Sequence, residues 1–189
     1  MAAVKAVLAT ANAHKAAEFE DLLPGWQIGV LEATYPPEVG ETYEDNALAK
    51  ARFGRSLAPA DMWVLGDDSG IEVDALDGGP GVYSARWAPT DQAVRMVAAM
   101  DGKADRGARY VCALAAIAPD GRELVVRGTL EGRIADELAG SEGFGYDPAF
   151  VPGGETATAA ELGNAWKAEH SHRARAAQEL LRRLAGATS

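Results

Sequence analysis

The stretch Leu65-Gly66-Asp67-Asp68-Ser69-Gly70-Ile71-Glu72-Val73-Asp74 places two adjacent carboxylates between two apolar segments. The apolar run at 62–65 predicts a buried strand, and the alternation at 71–76 predicts a half-exposed strand. We interpret the Asp-Ser-Gly between them as a tight turn. Because successive side chains of a strand point to opposite faces, Asp67 and Asp68 cannot both face a core. At least one is expected in a cleft or in water, where it could hold a hard cation; an acidic turn that binds only nearby backbone amides fits the same pattern.

The composition is that of a single acidic domain. The 189 residues are 48% hydrophobic, enough for a sizeable core, and no apolar run approaches the roughly 20 residues of a membrane-spanning helix. The first residues make a poor signal peptide, so we expect a cytoplasmic protein without a membrane partner. A net charge of −10 without a basic stripe disfavours polymeric nucleic acid but allows a small anionic ligand. The single cysteine, Cys112, excludes an internal disulfide and a cysteine metal cluster.

A polar turn at 10–15 follows the first predicted strand and leads into a helical pattern that Pro24-Gly25 ends. A strand, a turn and a helix start in this order present free backbone amides to an anion. Lys15 in the first helical turn opposes the helix dipole, a cost that a bound phosphate would offset. A solvated lysine on an exposed face fits the same position.

A second acidic group precedes the next predicted helix. Thr42 opens this helix in the manner of a capping box, with Asp45 at the position where glutamate is usual, and the helix is expected to run to about Leu57. The helix dipole accounts for Glu44 and Asp45 in the first turn. Glu38 lies before the helix and is free to point elsewhere.

Turn signals and periodicity predict strands at 4–9, 26–31, 109–118 and 123–130. They also predict helices capped by Thr90 and Ser171, and a short helix from Ala159 to Leu162. Strands and helices intermix, and the hairpin at 109–130 is antiparallel. We therefore expect an α/β fold with an elongated mixed β-sheet flanked by helices. In the loop at 142–150, glycines beside aromatic residues would let a flat ligand approach the backbone and stack on a ring, and a loop that caps the core fits the same residues.

Taken in order, several motifs resemble the inosine/xanthosine triphosphate pyrophosphatases, which remove non-canonical purine nucleotides. They are Thr10-x-Asn12-x-x-Lys15, Glu38 with Glu44-Asp45-Asn46-Ala47, Asp67-Asp68-Ser69-Gly70, Pro80-Gly81-Val82-Tyr83-Ser84-Ala85-Arg86, Gly143-Phe144-Gly145-Tyr146-Asp147-Pro148, Lys167, and Ser171-His172-Arg173. The resemblance covers nearly the whole chain. It implies one domain over residues 1–189 with two lobes around a central substrate cleft, a homodimer, and a Mg²⁺ requirement. The implied reaction converts inosine, deoxyinosine or xanthosine triphosphate (ITP, dITP or XTP) to the monophosphate and pyrophosphate, cleansing the nucleotide pool.

The same resemblance implies roles for individual residues. Asp68 would be the proton acceptor and a metal ligand, Glu38 the second metal ligand, and Asp67 and Glu41 further contributors. The phosphates would contact Thr10, Ala11, Asn12, Ala13, His14 and Lys15, with Ser69 touching the ligand beside the metal. The base and sugar would contact Phe144, Gly145, Tyr146 and Asp147, with Phe144 stacking. Lys167 would contact phosphate or base, and His172 and Arg173 the base edge.

Selectivity has a physical explanation on this hypothesis. Donors such as Arg173 or a protonated His172 would pair with the 6-oxygen of inosine or xanthine, whereas the amino group of adenine would leave them unpaired at a cost of about 1–3 kcal/mol. Two alternatives are a septum-associated nucleotide pyrophosphatase of related architecture and a nucleotide-binding module without turnover. The Phe-Gly-Tyr-Asp and Ser-His-Arg segments disfavour the first, and Asp68 with Glu38 disfavours the second.

Overall fold

The computed structural model describes residues 3–10, 13–88 and 90–186, apart from the side chains of residues 13 and 14. The strands are β1 (Val4–Leu8), β2 (Trp26–Val30), β3 (Trp63–Val73), β4 (Gly107–Ile117), β5 (Glu123–Ile134) and β6 (Phe150–Pro152). The helices are α1 (Ala13–Leu22), α2 (Tyr43–Arg55), α3 (Ser84–Trp87), α4 (Gln92–Ala99), α5 (Ala159–His170) and α6 (His172–Gly186). None of the helices in these ranges has the length and apolar character needed to cross a membrane.

The six strands form one mixed sheet in the order β2-β1-β3-β4-β5-β6. Strand β1 is parallel to both β2 and β3, whereas β5 is antiparallel to β6. Strands β4 and β5 are antiparallel neighbours, because hydrogen bonds join Ala118 to Arg122 near the turn and Ile134 to Arg106 at the far end. The prediction of a mixed α/β sheet is confirmed.

Residues 63–73 form one continuous strand, so the interpretation of Asp-Ser-Gly as a tight turn is wrong. Both aspartates are buried, Asp67 at 1% and Asp68 at 6% exposure. The alternation of the strand places Asp67 on the face of Leu65 and Asp68 on the face of Gly66. Helix residues supply a polar partner to each carboxylate, and these tertiary contacts outweigh the local preference of Asp, Ser and Gly for a turn.

Three predicted helix boundaries can be checked against the structure. Thr42 caps α2 by accepting a hydrogen bond from the Asp45 amide, as predicted. Thr90 does not cap α4: the N-cap is Asp91, which has a left-handed φ of 53° and makes no capping hydrogen bond with its side chain. Helix α5 continues to His170 through a kink at Gly163, whose φ of 83° suits a residue without a Cβ.

The chain divides into two compact units. Unit 1 consists of Met1–Asp68, Cys112–Gly128 and Arg173–Ser189, and unit 2 consists of Ser69–Val111 and Thr129–His172. The main core of unit 1 joins one face of the sheet to α1 and α6, with Phe19 and Leu180 fully buried. The core of unit 2 includes residues of β3, β4 and β6, the α4 residue Met96, and Met100 directly after that helix.

Helix α2 packs on the opposite face of the sheet in unit 1, because two glycines allow a close approach. A Cβ on Gly66 would lie 2.4 Å from the Ala47 carbonyl oxygen and 2.7 Å from the Ala51 nitrogen. A Cβ on Gly54 of α2 would lie 2.9 Å from a Val64 methyl group. The strand residue Asp68 and the polar face of α2 are therefore held close together.

Candidate active site

Asp68 lies at the centre of a polar group in unit 1. Its Oδ2 accepts a hydrogen bond of 2.9 Å from the Asn46 side-chain amide, and its Oδ1 lies 4.0 Å from Lys50 Nζ. Burial raises the pKa of Asp68 to about 6, although the charge of Lys50 and the Asn46 hydrogen bond act in the other direction. A carboxylate with a pKa near 6 is suited to accept a proton close to neutral pH.

Lys50 joins Asp68 to the loop that carries Glu38. Its Nζ lies 2.6 Å from Glu38 Oε1, and the lysine side chain is 13% exposed. Burial favours the neutral amine, but the carboxylates of Asp67, Glu38 and Asp68 together outweigh burial and raise the pKa of Lys50. Lys50 belongs to none of the sequence motifs; the signal that could have found it is its position four residues after Asn46 in the predicted helix, which places both on one face.

Asp67 pairs with Lys15 of α1 on the other face of the sheet. Lys15 Nζ donates to Asp67 Oδ2 at 2.7 Å. Burial alone would raise the pKa of Asp67, but the charges of Lys15, Lys50 and Arg173 outweigh it and lower that pKa. The other oxygen, Oδ1, is buried and has no hydrogen-bond partner among the residues that the structure describes. The adjacent carboxylates thus differ, with one held as an anion and the other poised to take up a proton.

The carboxylates around Lys50 could hold a magnesium ion whose remaining ligands are phosphates and water. No group of three or more His, Cys, Asp or Glu residues in the described ranges is arranged to hold a metal. Glu38 and Asp68 do present hard carboxylate oxygens to one shared cationic group, the Lys50 ammonium. Mg²⁺ commonly takes one or two protein carboxylates and completes its shell with phosphates and water. Two carboxylates therefore fit the ion, and Glu41 is exposed in the same loop.

A cavity of about 400 Å³ opens beside these groups within unit 1. Its lining includes Glu38, Glu41, Asn46 and Lys50. There is consequently room for a small ligand next to both Glu38 and the lysine.

Only part of the predicted phosphate-binding turn can be placed. Thr10 is buried two residues after the end of β1, and α1 begins at Ala13 as the strand–turn–helix pattern predicted. Ala11 and Asn12 lie outside the described residues, as do the side chains of Ala13 and His14. Contacts of these residues with phosphate stay a prediction.

A second polar group lies in unit 2 and centres on Asp147. Its carboxylate accepts hydrogen bonds from Lys167 Nζ at 2.7 Å, the Phe144 amide at 2.9 Å and the Tyr110 hydroxyl at 3.1 Å. Lys167 Nζ also lies 4.8 Å from the centre of the Phe144 ring, which is 57% exposed. Buried Asp147 thus orients Lys167 and the aromatic loop, leaving the Phe144 ring accessible.

The remaining predicted base-binding residues have partners that motifs alone did not indicate. The His172 ring stacks on Tyr110 with centroids 4.8 Å apart, and the Tyr146 hydroxyl donates to the Ser84 carbonyl at 2.7 Å. The guanidinium of Arg173 lies 3.4 Å from a carboxylate oxygen of Glu18 in unit 1. Tyr110 and Glu18 were missed, because partners distant in sequence become neighbours only in the folded chain.

The backbone conformation fixes the positions of two further predicted site residues, Ser69 and Gly145. Ser69 is half-buried and follows Asp68 directly in β3. Gly145 lies in the aromatic loop with a φ of 66°, a left-handed conformation that favours glycine. A turn at this point brings the Phe144 amide and the Asp147 carboxylate together.

The model of the Ham1 family matches residues 6–183 of this chain. The chain belongs to the Ham1 family. This Ham1 chain is 46% identical over 184 residues to a dITP/XTP pyrophosphatase of Leifsonia xyli subsp. xyli, with 92% of each protein covered. It is 45% identical to a dITP/XTP pyrophosphatase of Nocardia farcinica, with 98% of this chain and 97% of the relative covered.

Solved Ham1 structures agree with the fold. The Ham1 protein of Staphylococcus aureus matches with a TM-score of 0.85 at 33% identity, covering 96% of this chain and 98% of its own. The family resemblance inferred from the ordered motifs is confirmed, and the mixed α/β fold with it. The relatives do not favour either alternative, a septum-associated enzyme or a binding module without turnover.

Proposed function

We propose that this chain hydrolyses non-canonical purine nucleoside triphosphates, namely ITP, dITP and XTP, to the monophosphate and pyrophosphate, and so cleanses the nucleotide pool. The observation that carries the proposal is the pair of Asp68 and Glu38 around the Lys50 ammonium. The names of relatives more than 40% identical over nearly the full chain support the same substrate class.

In this mechanism Asp68 acts as the general base. It accepts a proton from the water that attacks the α-phosphorus, for which a pKa of about 6 is suitable. The new oxygen–phosphorus bond forms as the bond to the bridging oxygen breaks, and pyrophosphate leaves. Glu38 and Asp68 would hold Mg²⁺, whose charge would stabilise the phosphates. Lys50 and Lys15 add positive charge toward the anionic substrate, and the turn at 10–15 with Ser69 binds it.

We assign base recognition to the aromatic loop at 144–147 with Lys167, His172 and Arg173. The exposed Phe144 ring offers a stacking surface, and Asp147 holds Lys167 beside it. A cationic donor would pair with a 6-oxo group and would be left unpaired by a 6-amino group, which supports selection against adenine.

A homodimer, a cytoplasmic location and the absence of membrane or polymeric nucleic acid partners are further parts of this proposal. The homodimer follows from the family resemblance, and the net charge of −10 supports the exclusion of polymeric nucleic acid. Gel filtration with light scattering would test the dimer.

The deciding experiment is Mg²⁺-dependent hydrolysis of ITP, dITP and XTP beside ATP and GTP, with pyrophosphate separated from orthophosphate. We expect pyrophosphate and monophosphate, formed preferentially from the three non-canonical substrates. Orthophosphate as the product, equal use of ATP, or no turnover would contradict the proposal. Asp68→Asn serves as the inactive control.

A further inference from the structure

Asn46 makes two hydrogen bonds that no role assigned so far explains. Its side-chain Oδ1 accepts a hydrogen bond from the Gly40 amide at 2.8 Å, and its Nδ2 donates to Asp68 Oδ2 at 2.9 Å. The residue is 2% exposed and lies near the start of α2. One side chain therefore links the loop that carries Glu38 to the strand that carries Asp68.

The chemistry of the two partners requires an amide at this position. A backbone amide can only donate, so the Asn46 atom that faces Gly40 is the oxygen, and the NH₂ group is left to face Asp68. An aspartate would keep the acceptor but lose the donor, and an aliphatic residue would lose both. The loop also passes very close, because a Cβ on Gly40 would lie 2.6 Å from Asn46 Oδ1.

Lys50 lies one helical turn later and makes the corresponding charged link from Glu38 to Asp68. A second cation bound by these carboxylates would repel the Lys50 ammonium, whereas the neutral Asn46 amide carries no such cost. The two hydrogen bonds of Asn46 thus connect the Glu38 loop to Asp68 whichever cation the carboxylates bind.

We propose that Asn46 is a positioning residue, which sets the Glu38 loop and the Asp68 carboxylate at a fixed separation for catalysis. This inference rests on the proposed function. Asn46 acts on the reaction only through Asp68 and the loop at 38–41.

Two substitutions separate the two hydrogen bonds. Asn46→Leu keeps the branching of the side chain at Cγ and removes both bonds, whereas Asn46→Asp keeps the acceptor for Gly40 and removes the donor to Asp68. Asn164→Leu and Asn164→Asp make the same changes at an exposed position of α5 and serve as matched controls. Each variant is assayed for kcat, KM, the Mg²⁺ concentration that gives half-maximal rate, and backbone amide exchange by NMR.

We expect the Gly40 amide to exchange at least tenfold faster in Asn46→Leu and at an unchanged rate in Asn46→Asp, with the amides of 47–51 in α2 unaffected in both. Both Asn46 variants are expected to lose at least tenfold in kcat/KM, while the Asn164 controls stay within twofold of wild type. A residue that merely stabilises the fold would lower the melting temperature without this selective exchange at Gly40.

The proposal is overturned if Gly40 exchange is unchanged in Asn46→Leu, or if both Asn46 variants stay within threefold of the wild-type kcat/KM. If Asn46→Leu does not fold, the isosteric Asn46→Asp still decides the link to Asp68. An inactive wild type would defeat the proposed function instead, and the exchange measurement would still decide whether Asn46 holds the loop.

Discussion

Asp67 and Asp68 are chemically identical neighbours whose ionisation is driven in opposite directions. Burial opposes charge on both, but the cations Lys15, Lys50 and Arg173 keep the pKa of Asp67 below its ordinary value, whereas burial prevails for Asp68. Where the environments of two carboxylates separate their pKa values in this way, one is suited to be a fixed charge and the other a proton acceptor. In the proposed mechanism the two aspartates would therefore have different roles at consecutive positions of one strand.

Asp68→Asn is expected to lower kcat strongly and to stabilise the metal-free protein. The folded-state pKa of about 6 exceeds the ordinary value of 3.8, so the free energy of unfolding falls as pH rises from about 4 to 6 and stays reduced above that. The shift corresponds to at most about 3 kcal/mol at pH 7.5. Urea denaturation in a chelator should therefore give a higher midpoint for the variant.

The same variant should lose roughly 10²–10⁴-fold in kcat, the usual contribution of a general base. At pH 2.5, below both pKa values, the stability difference should disappear. A variant that is less stable than wild type at pH 7.5 in chelator would contradict the assignment of a buried, desolvated carboxylate.

At the scale of elements, the site depends on how closely α2 lies on β3. Gly66 faces the α2 backbone, and backbone atoms of Ala47 and Ala51 cannot rotate away as a side chain would. The helix carries Asn46 and Lys50 toward the strand, so its distance from β3 sets their contacts with Asp68.

Gly66→Ala is accordingly expected to destabilise the protein by about 1–3 kcal/mol and to lower kcat/KM in the molecules that remain folded. Gly29→Ala in β2 is the matched control, because its Cβ would lie 4.0 Å from the nearest atom, a Val7 methyl group. Thermal denaturation and ITP turnover of both variants test this. Equal effects of the two changes would show that the close approach at Gly66 is not limiting.

Ser84, in the segment Pro80–Arg86, holds two other parts of unit 2 through hydrogen bonds. The Ser84 hydroxyl accepts a hydrogen bond from the Ile71 amide and donates to the Gly81 carbonyl, and the Ser84 carbonyl accepts from Tyr146. Ser84 therefore connects Ile71 of β3 to Tyr146 of the aromatic loop. This motif was visible in the sequence, but its partners were not.

The limits of sequence-based prediction are visible at particular residues. Periodicity located β1 and β4, and the capping pattern at Thr42 located the start of α2, because those signals are local. It failed at Ser69-Gly70, where turn propensity is local but the continuous strand is stabilised by long-range contacts. Lys50 and Glu18 were missed for the same reason, since the partners of each are separated from it by many residues of chain.

At the scale of the whole molecule, the single cysteine offers a probe of unfolding. Cys112 is fully buried in the core of unit 1, and burial, followed by the charge of Asp67, raises the pKa of its thiol to about 12. We expect negligible alkylation of the native protein at pH 8 and complete alkylation in concentrated urea. The labelling rate should rise with urea in parallel with the loss of circular dichroism. Rapid labelling in native buffer would show that the core around β4 opens locally.

The division of the chain into units has a consequence for its synthesis on the ribosome. Unit 1 contains the earliest residues of the chain, yet its core requires Ala176, Ala177 and Leu180 of α6, which follow every other strand and helix. The residues of unit 2 end at His172, where α6 begins. The core of unit 1 can therefore form only after α6 has been synthesised, and the buried Asp67 meets its full set of cations only when translation has passed Arg173.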